Sequence, residues 1–232
     1  MSDLAFITGT RKGIGRAIAE HLLSKGFIVA GCSRRDNDLQ HKNYHHFNCD
    51  VSDEAAVIKT IKTVKKTLQP IKILINNAGI ASMNHLLLTP LKSYQDIFQT
   101  NVQGTFLMLR ETAKQMSRTG GGRIINFTSI ANPLNLEGEG IYSASKAAVE
   151  SLTKTAAREL AKMNITVNAI GPTPVETDLI KLVPKEKIDS LVKQQSIQRL
   201  GTHEDILNAV DFFIKPQSDF ITGQILYLGG VN

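Results

Sequence analysis

Residues 4–26 read "LAFITGTRKGIGRAIAEHLLSKG", and the division of that stretch decides the fold. "LAFIT" is a short continuous apolar run, as expected of a strand covered on both faces. "IGRAIAEHLLSKG" reads as a helix. Between them lies the turn "TGTRKGIG", residues 8–15, with Gly9, Gly13 and Gly15 spaced G-x-x-x-G-x-G. A strand feeding a helix through such a turn opens a βα unit, and the alternation continues to the other end of the chain. "FIVAGCS", "HHFNCDV", "KILINNAG", "GRIINFTS", "ITVNAIGP" and "GQILYLGG" read as strands. The helices between them run from about Asp53 to Leu68, through "YQDIFQTNVQGTFLMLRETAKQM", from "IYSASKAAVE" onward and through "HEDILNAVDFFI". Repeated βα units imply a parallel, doubly wound sheet of Rossmann type. Residues 1–232 show no repeat and no linker, so a single α/β domain is expected.

Composition narrows the function classes. The chain is 42% hydrophobic and 21% charged with no Trp, ordinary for a soluble globular protein. No apolar run approaches the roughly 20 residues of a membrane span. Met1-Ser2-Asp3 precede "LAFIT" without a charged leader, and a cytoplasmic location is expected. Cys32 and Cys49 are the only cysteines, which suits reduced, partly buried thiols. The net charge of +6 points to anionic partners. Lys59, Lys62, Lys65 and Lys66 fall mostly at helical spacing beside Val57, Ile61 and Val64, as on a solvated helix face. No basic stripe is interleaved with aromatics, so nucleic-acid binding is disfavoured. The six histidines show no metal-ligand spacing, His45-His46 reading as strand-end decoration, and no metal is expected.

In a doubly wound sheet the first βα turn is where a pyrophosphate settles on a helix N-terminus. The glycines give the tight turn and close backbone approach that this needs. A phosphate-binding Walker loop is excluded, because no Gly-Lys-Ser/Thr follows. An NAD site calls for a carboxylate at the end of the second strand, and a 2′-phosphate calls for cations. That strand ends "CSRRD", so Ser33, Arg34 and Arg35 arrive before Asp36. With Lys12 flanking, this favours NADP(H) over NAD, since Arg offers a planar fork to phosphate.

The ordered motifs "TGTRKGIG", "CDV" (49–51), "NNAG" (76–79), "NVQGTF" (101–106), "INFTS" (125–129), "YSASK" (142–146) and "VNAIGP" (167–172) resemble the short-chain dehydrogenase/reductase family over nearly the whole length. The ending "QRLGTHEDILNAVDFFI … ITGQILYLGG" is similar to the bacterial 3-oxoacyl-[acyl-carrier-protein] reductase branch. The resemblance implies a catalytic tetrad of Asn101, Ser129, Tyr142 and Lys146. It also implies cofactor contacts from Gly9, Arg11, Lys12, Gly13, Ile14 and Gly15 in the first turn and from Ser33 and Arg34 at the second strand. Asp50 and the Val51 backbone would bracket the adenine; Asn77, Ala78 and Gly79 would line a ribose. Pro172, Val175 and Thr177 would reach the nicotinamide, and a substrate lid is expected over about 178–200. A homo-oligomer, tetramer or dimer, is implied, with the helices of Asn101 and Tyr142 at the interface.

Tyr142 and Lys146 sit one turn apart on one helical face. Hydride transfer is the cofactor's chemistry, and the protein must manage one proton. A free phenol has a pKa of about 10, and Lys146, with the oxidised nicotinamide's positive charge nearby, is expected to lower it, letting Tyr142 act as general acid for reduction and base for oxidation. Ser129 would donate a hydrogen bond to the substrate oxygen. Lys146 would bind the nicotinamide ribose, and Asn101 would hold a water linking Lys146 to solvent. The segment departs from the family at "GPTPVET", where Thr173 replaces a glycine and Pro174 fixes φ near −65°. Asn135, Glu137 and Glu139 border the expected substrate site and suit a polar substrate. The lid's Leu179, Ile180, Leu182 and Val183 with Lys181, Lys185 and Lys187 suit an acyl-pantetheine arm instead. The leading expectation is an NADP-dependent carbonyl reductase or alcohol dehydrogenase, foremost of 3-oxoacyl thioesters. A reductase of a sugar or small polar ketone is the alternative, and a catalytically idle NADP-binding regulator is the alternative of a different class.

Overall fold

Leu4–Thr8 (β1) runs through the middle of a sheet completed by Ile28–Ser33 (β2), Tyr44–Asn48 (β3), Ile71–Asn76 (β4), Gly122–Phe127 (β5), Ile165–Gly171 (β6) and Ile225–Tyr227 (β7). The computed structural model describes residues 2–175 and 185–231. All seven strands are parallel, in the order β3-β2-β1-β4-β5-β6-β7. The helices are Gly13–Ser24 (α1), Glu54–Thr67 (α2), Leu91–Phe98 (α3), Gly104–Met116 (α4), the single turn Ala131–Leu134 (α5), Gly140–Leu160 (α6), Lys185–Lys193 (α7) and His203–Ile214 (α8).

The period-2 geometry of strands explains why "LAFIT" has no polar residue before its last position. Leu4 and Phe6 belong to the core under α2, α4 and α6, with Val57, Ile61, Met108 and Ala157. Ala5 and Ile7 point the other way, into the core under α1 and α8, with Ile18, Leu22, Val210 and Phe213. Both faces of β1 are therefore dry, as parallel sheets require. Lys59, Lys62, Lys65 and Lys66 lie exposed on α2, opposite its buried face. Cys32 and Cys49 are free and buried. The chain reverses direction across the sheet between β1 and β4, and doubly wound sheets bind ligands outside the strand ends at that switch.

Two expectations shift in detail. The strand read at "HHFNCDV" begins one residue earlier and ends at Asn48, because Asp50 Oδ1 accepts from the Ser52 N–H at 3.0 Å and turns the chain. His45 and His46 thus lie inside β3 and not at its end; His46 Nδ1 hydrogen bonds the Tyr44 hydroxyl at 3.0 Å. The helix read over residues 94–116 contains a π-helical turn at Gln99–Gln103, and π-bulges concentrate at functional sites.

Candidate active site

The strand ends are bolted together by short polar contacts. Thr8 Oγ1 accepts the N–H groups of Asn77 (3.0 Å) and Ala78 (2.9 Å), and Asn77 Nδ2 donates back to the Thr8 carbonyl at 2.9 Å. The Gly9 N–H donates to the Cys32 carbonyl at 2.8 Å. These contacts hold the glycine turn, the end of β2 and the "NNAG" segment around one cleft. Gly9 (φ 76°) and Gly13 (φ 60°) occupy left-handed backbone, open to glycine at little cost. Gly15 does not line the cleft; it packs beneath the turn, where an added Cβ would come 2.4 Å from the Gly9 carbonyl oxygen. We expect Gly15→Ala to cost about 1–3 kcal/mol, read as a lower Tm together with weakened NADPH binding in a fluorescence titration.

The cleft has a volume of about 1370 Å³, more than the 300–1,000 Å³ typical of a small-molecule site. One end is lined by Gly9, Arg11, Lys12, Gly13 and Ile14, by Ser33, Arg34 and Arg35, and by Asp50 and Val51. Asn77, Ala78 and Gly79 line its middle, and Ser129, Tyr142, Lys146, Pro172 and Val175 its far end. Thr177 lies outside the described residues, as do Leu179, Ile180, Lys181, Leu182 and Val183. A dinucleotide phosphate fits this lining. The N-terminus of α1 carries no side-chain cap and no acid in its first turn, leaving its N–H groups for an anion. Asp36 accepts from Asn48 Nδ2 at 2.7 Å and is absent from the cleft lining among the described residues. Arg34 and Arg35 reach the cleft without a carboxylate partner among those residues.

At the far end, α6 presents Tyr142 and Lys146 across from Ser129, which follows β5. The Lys146 ammonium donates to the Phe127 carbonyl at 2.8 Å and sits 5.6 Å from the Tyr142 ring centroid. Asn101, in the π-turn, does not line the cleft. Its Oδ1 accepts the Ile80 N–H at 2.9 Å, and its Nδ2 donates to the Ile80 carbonyl (2.9 Å) and to Ser145 Oγ (3.0 Å). Asn101 Oδ1 and Lys146 Nζ flank Gly79, 3.2 and 3.5 Å from the place a Cβ would take. Asn101 and Lys146 therefore meet at Gly79 of the "NNAG" segment, while Ser129 and Tyr142 line the same cleft.

In the chain without cofactor the phenol is raised, not lowered. Burial pushes the Tyr142 phenol up to about 12, against a hydrogen bond from Ser129 that lowers it; Glu139 adds a further rise. Burial also brings Lys146 down to about 8. The ammonium is aimed at a backbone carbonyl rather than at the phenol oxygen, so in the chain alone it does not release the phenol's proton. Glu137 and Glu139 line the cleft beside Leu136, whereas Asn135 is turned away with φ 48° and donates to the Pro133 carbonyl. Thr173 and Pro174 need no positive φ; the loop closes through the Gly201 N–H donating to the Pro174 carbonyl at 2.9 Å and a bridge from Val175 to Gly201.

Beyond the residues expected from sequence, Thr8 and Tyr44 support the turn. Tyr44 reaches under it to Thr10 Oγ1 at 2.8 Å and receives Asn37 Nδ2 at 2.8 Å. The only signal in the sequence was the hydroxyl-rich pair Thr8 and Thr10 around Gly9.

The family profile described as enoyl-(acyl carrier protein) reductase matches residues 9–232. The 3-oxoacyl-[acyl-carrier-protein] reductase of Staphylococcus epidermidis is 34% identical over 99% of this chain and 98% of its own length. The chain belongs to the short-chain dehydrogenase/reductase family. The reductase of the same name from Vibrio harveyi is 33% identical over 98% of this chain and 96% of its own. Among solved structures, ElxO with NADP bound superposes at a TM-score of 0.91, with 30% identity over 98% of this chain and 97% of that one. Ligand-free Thermoplasma acidophilum aldohexose dehydrogenase reaches 0.90 with 28% identity over 99% and 94%. The Rossmann-type single-domain fold is common to this family. No helix among the described residues is long and apolar enough to cross a membrane, and no group of three or more His, Cys, Asp or Glu among them could hold a metal ion.

Proposed function

We propose that this chain is an NADP-dependent reductase that converts a 3-oxoacyl thioester to its 3-hydroxy counterpart. The observation that carries the reading is the cleft itself, with Arg34 and Arg35 lacking a carboxylate partner among the described residues at one end and Ser129, Tyr142 and Lys146 gathered at the other. Arg34, assisted by Lys12 and Arg35, holds the 2′-phosphate, and the α1 N-terminus takes the pyrophosphate. Asp50 and Val51 bracket the adenine, Asn77, Ala78 and Gly79 line the ribose, and Pro172 and Val175 meet the nicotinamide. NADPH bound in this way supplies the hydride. Tyr142 donates its proton to the carbonyl oxygen while Ser129 Oγ hydrogen bonds that oxygen. Lys146 binds the ribose hydroxyls, and Asn101 holds the Ile80 backbone just after "NNAG" and a water behind it.

A phenol raised by burial is protonated throughout the neutral range, as a proton donor to the carbonyl oxygen must be. Lys146 carries a depressed pKa of about 8, so its charge is present below that pH and lost above it. NADPH affinity is therefore expected to weaken several-fold between pH 7 and pH 9.5, and titrations with the Lys146→Met variant should be flat over that interval.

Acyl thioesters are supported by the relatives' activity and by the apolar Met83, Leu136, Ile188 and Leu191 on the substrate side of the cleft. A sugar or small polar ketone is the second reading, favoured by Glu137 and Glu139 beside Tyr142. NADPH oxidation with acetoacetyl-coenzyme A, aldoses and diketones separates the two, and tight NADPH binding with no turnover of any of them would point to an idle regulator. We place α7 in the substrate lid, and a cytoplasmic homo-oligomer, dimer or tetramer, fits the exposed Tyr94 and Phe106 on α3 and α4; light scattering reads its mass.

A further inference from the structure

Glu150 lies on α6, eight residues beyond Tyr142, and is only 7% exposed. A buried carboxylate is costly unless hydrogen-bonded, and this one receives three donors from two parts of the chain. Thr128 Oγ1 donates to Oε1 at 2.5 Å and Tyr227 OH to the same oxygen at 2.6 Å; Asn132 Nδ2 donates to Oε2 at 2.8 Å. Thr128 and Asn132 bracket Ser129. The Ser129 hydroxyl has two neighbours to satisfy, accepting the Ala131 N–H at 3.2 Å and meeting the Tyr142 phenol. Its placement depends on the loop that Glu150 grips from both sides. Tyr227 ties the same carboxylate to β7, and Asn126 Nδ2 anchors β5 to the same helix through Thr153 Oγ1 at 2.9 Å.

We infer that Glu150 is a positioning residue that braces the loop 128–134 on α6 and so fixes Ser129 against Tyr142. This rests on the reading of Ser129 as the hydrogen-bond donor to the reacting oxygen. Because α6 carries Tyr142, Lys146 and Glu150 on successive turns, one rigid helix sets both the acid and, through Glu150, its partner hydroxyl. Misplacement of a reacting group by an ångström can cost about 10²-fold in rate.

The test compares Glu150→Ala, Glu150→Gln and Thr128→Val with the wild-type protein. Gln keeps an acceptor for Thr128 and Tyr227, and its amide can pair with a flipped Asn132, so Glu150→Gln is expected to retain kcat within a few-fold. Glu150→Ala and Thr128→Val are expected to lower kcat about tenfold or more, with the Kd for NADPH unchanged. In a Ser129→Ala background Glu150→Ala should lower kcat no further, since it acts through Ser129; a multiplicative loss overturns the inference. Thr128→Val, being nearly isosteric, serves where Glu150→Ala fails to fold, and full activity in it also overturns the inference. Hydrogen exchange gives a readout apart from turnover. Faster exchange over residues 128–134 in Glu150→Ala, with α6 unchanged, supports the brace. Unchanged exchange there defeats the brace whatever the activity, whereas faster exchange in a protein that reduces no carbonyl defeats the proposed function and not the brace.

Discussion

Tyr142→Phe is expected to abolish turnover while leaving NADPH affinity nearly unchanged. Phenylalanine keeps the ring that fills the wall of the cleft and removes one oxygen. What is lost is the proton donor to the carbonyl, and positioned acid catalysis contributes about 10²–10⁴-fold. The loss sits at the upper end of that range here, because Ser129 offers a hydrogen bond but, as an alcohol, no comparable acidity. The cofactor contacts lie with Lys146 and the glycine turn, so fluorescence titration with NADPH should give the wild-type Kd to within about twofold, well under the tenfold that 1.4 kcal/mol represents. Retention of more than a few per cent of the wild-type rate would assign the proton to another group.

Arg34→Ala is expected to cut sharply the preference for NADPH over NADH. Arg34 stands at the cleft immediately after β2, with no carboxylate to neutralise it among the described residues, while Asp36 is engaged by Asn48. A charge-assisted contact to a phosphate contributes about 1.5–3 kcal/mol, which corresponds to roughly 10- to 150-fold in kcat/KM for NADPH. NADH lacks the 2′-phosphate, and its kcat/KM should stay near the wild-type value. Lys12 and Arg35 remain, so Arg34→Ala with Arg35→Ala should lose more than Arg34→Ala alone. Equal losses with both cofactors would place the 2′-phosphate elsewhere.

The parts of this protein that sequence made legible are those set by local pattern. The boundaries of α8 are those of the run "HEDILNAVDFFI", because Thr202 and Asp205 form a capping box before it. β1 and the glycine turn could be read from apolar continuity and from glycine spacing, since both are backbone requirements of a few consecutive residues. The π-turn around Asn101 left no periodic trace; its five residues read as ordinary helix, and only the family resemblance marked them. The raised phenol was illegible for a different reason. Proximity along a helix places Lys146 near Tyr142, but desolvation and the direction of the ammonium toward Phe127 are set by β5, far away in the chain. The Glu150 brace likewise joins residues 128, 132 and 227, and nothing in "KAAVESL" announces three donors. At "GPTPVET" the sequence marked a departure from the family, and there Thr173 and Pro174 keep negative φ while the loop closes on Gly201.

The most direct test of the account is the initial rate of NADPH oxidation by the purified protein with acetoacetyl-coenzyme A, followed by NADPH absorbance with the product identified by mass. The account predicts stoichiometric consumption of NADPH and formation of the 3-hydroxyacyl thioester. Tight NADPH binding with no consumption above the rate of Tyr142→Phe would contradict it.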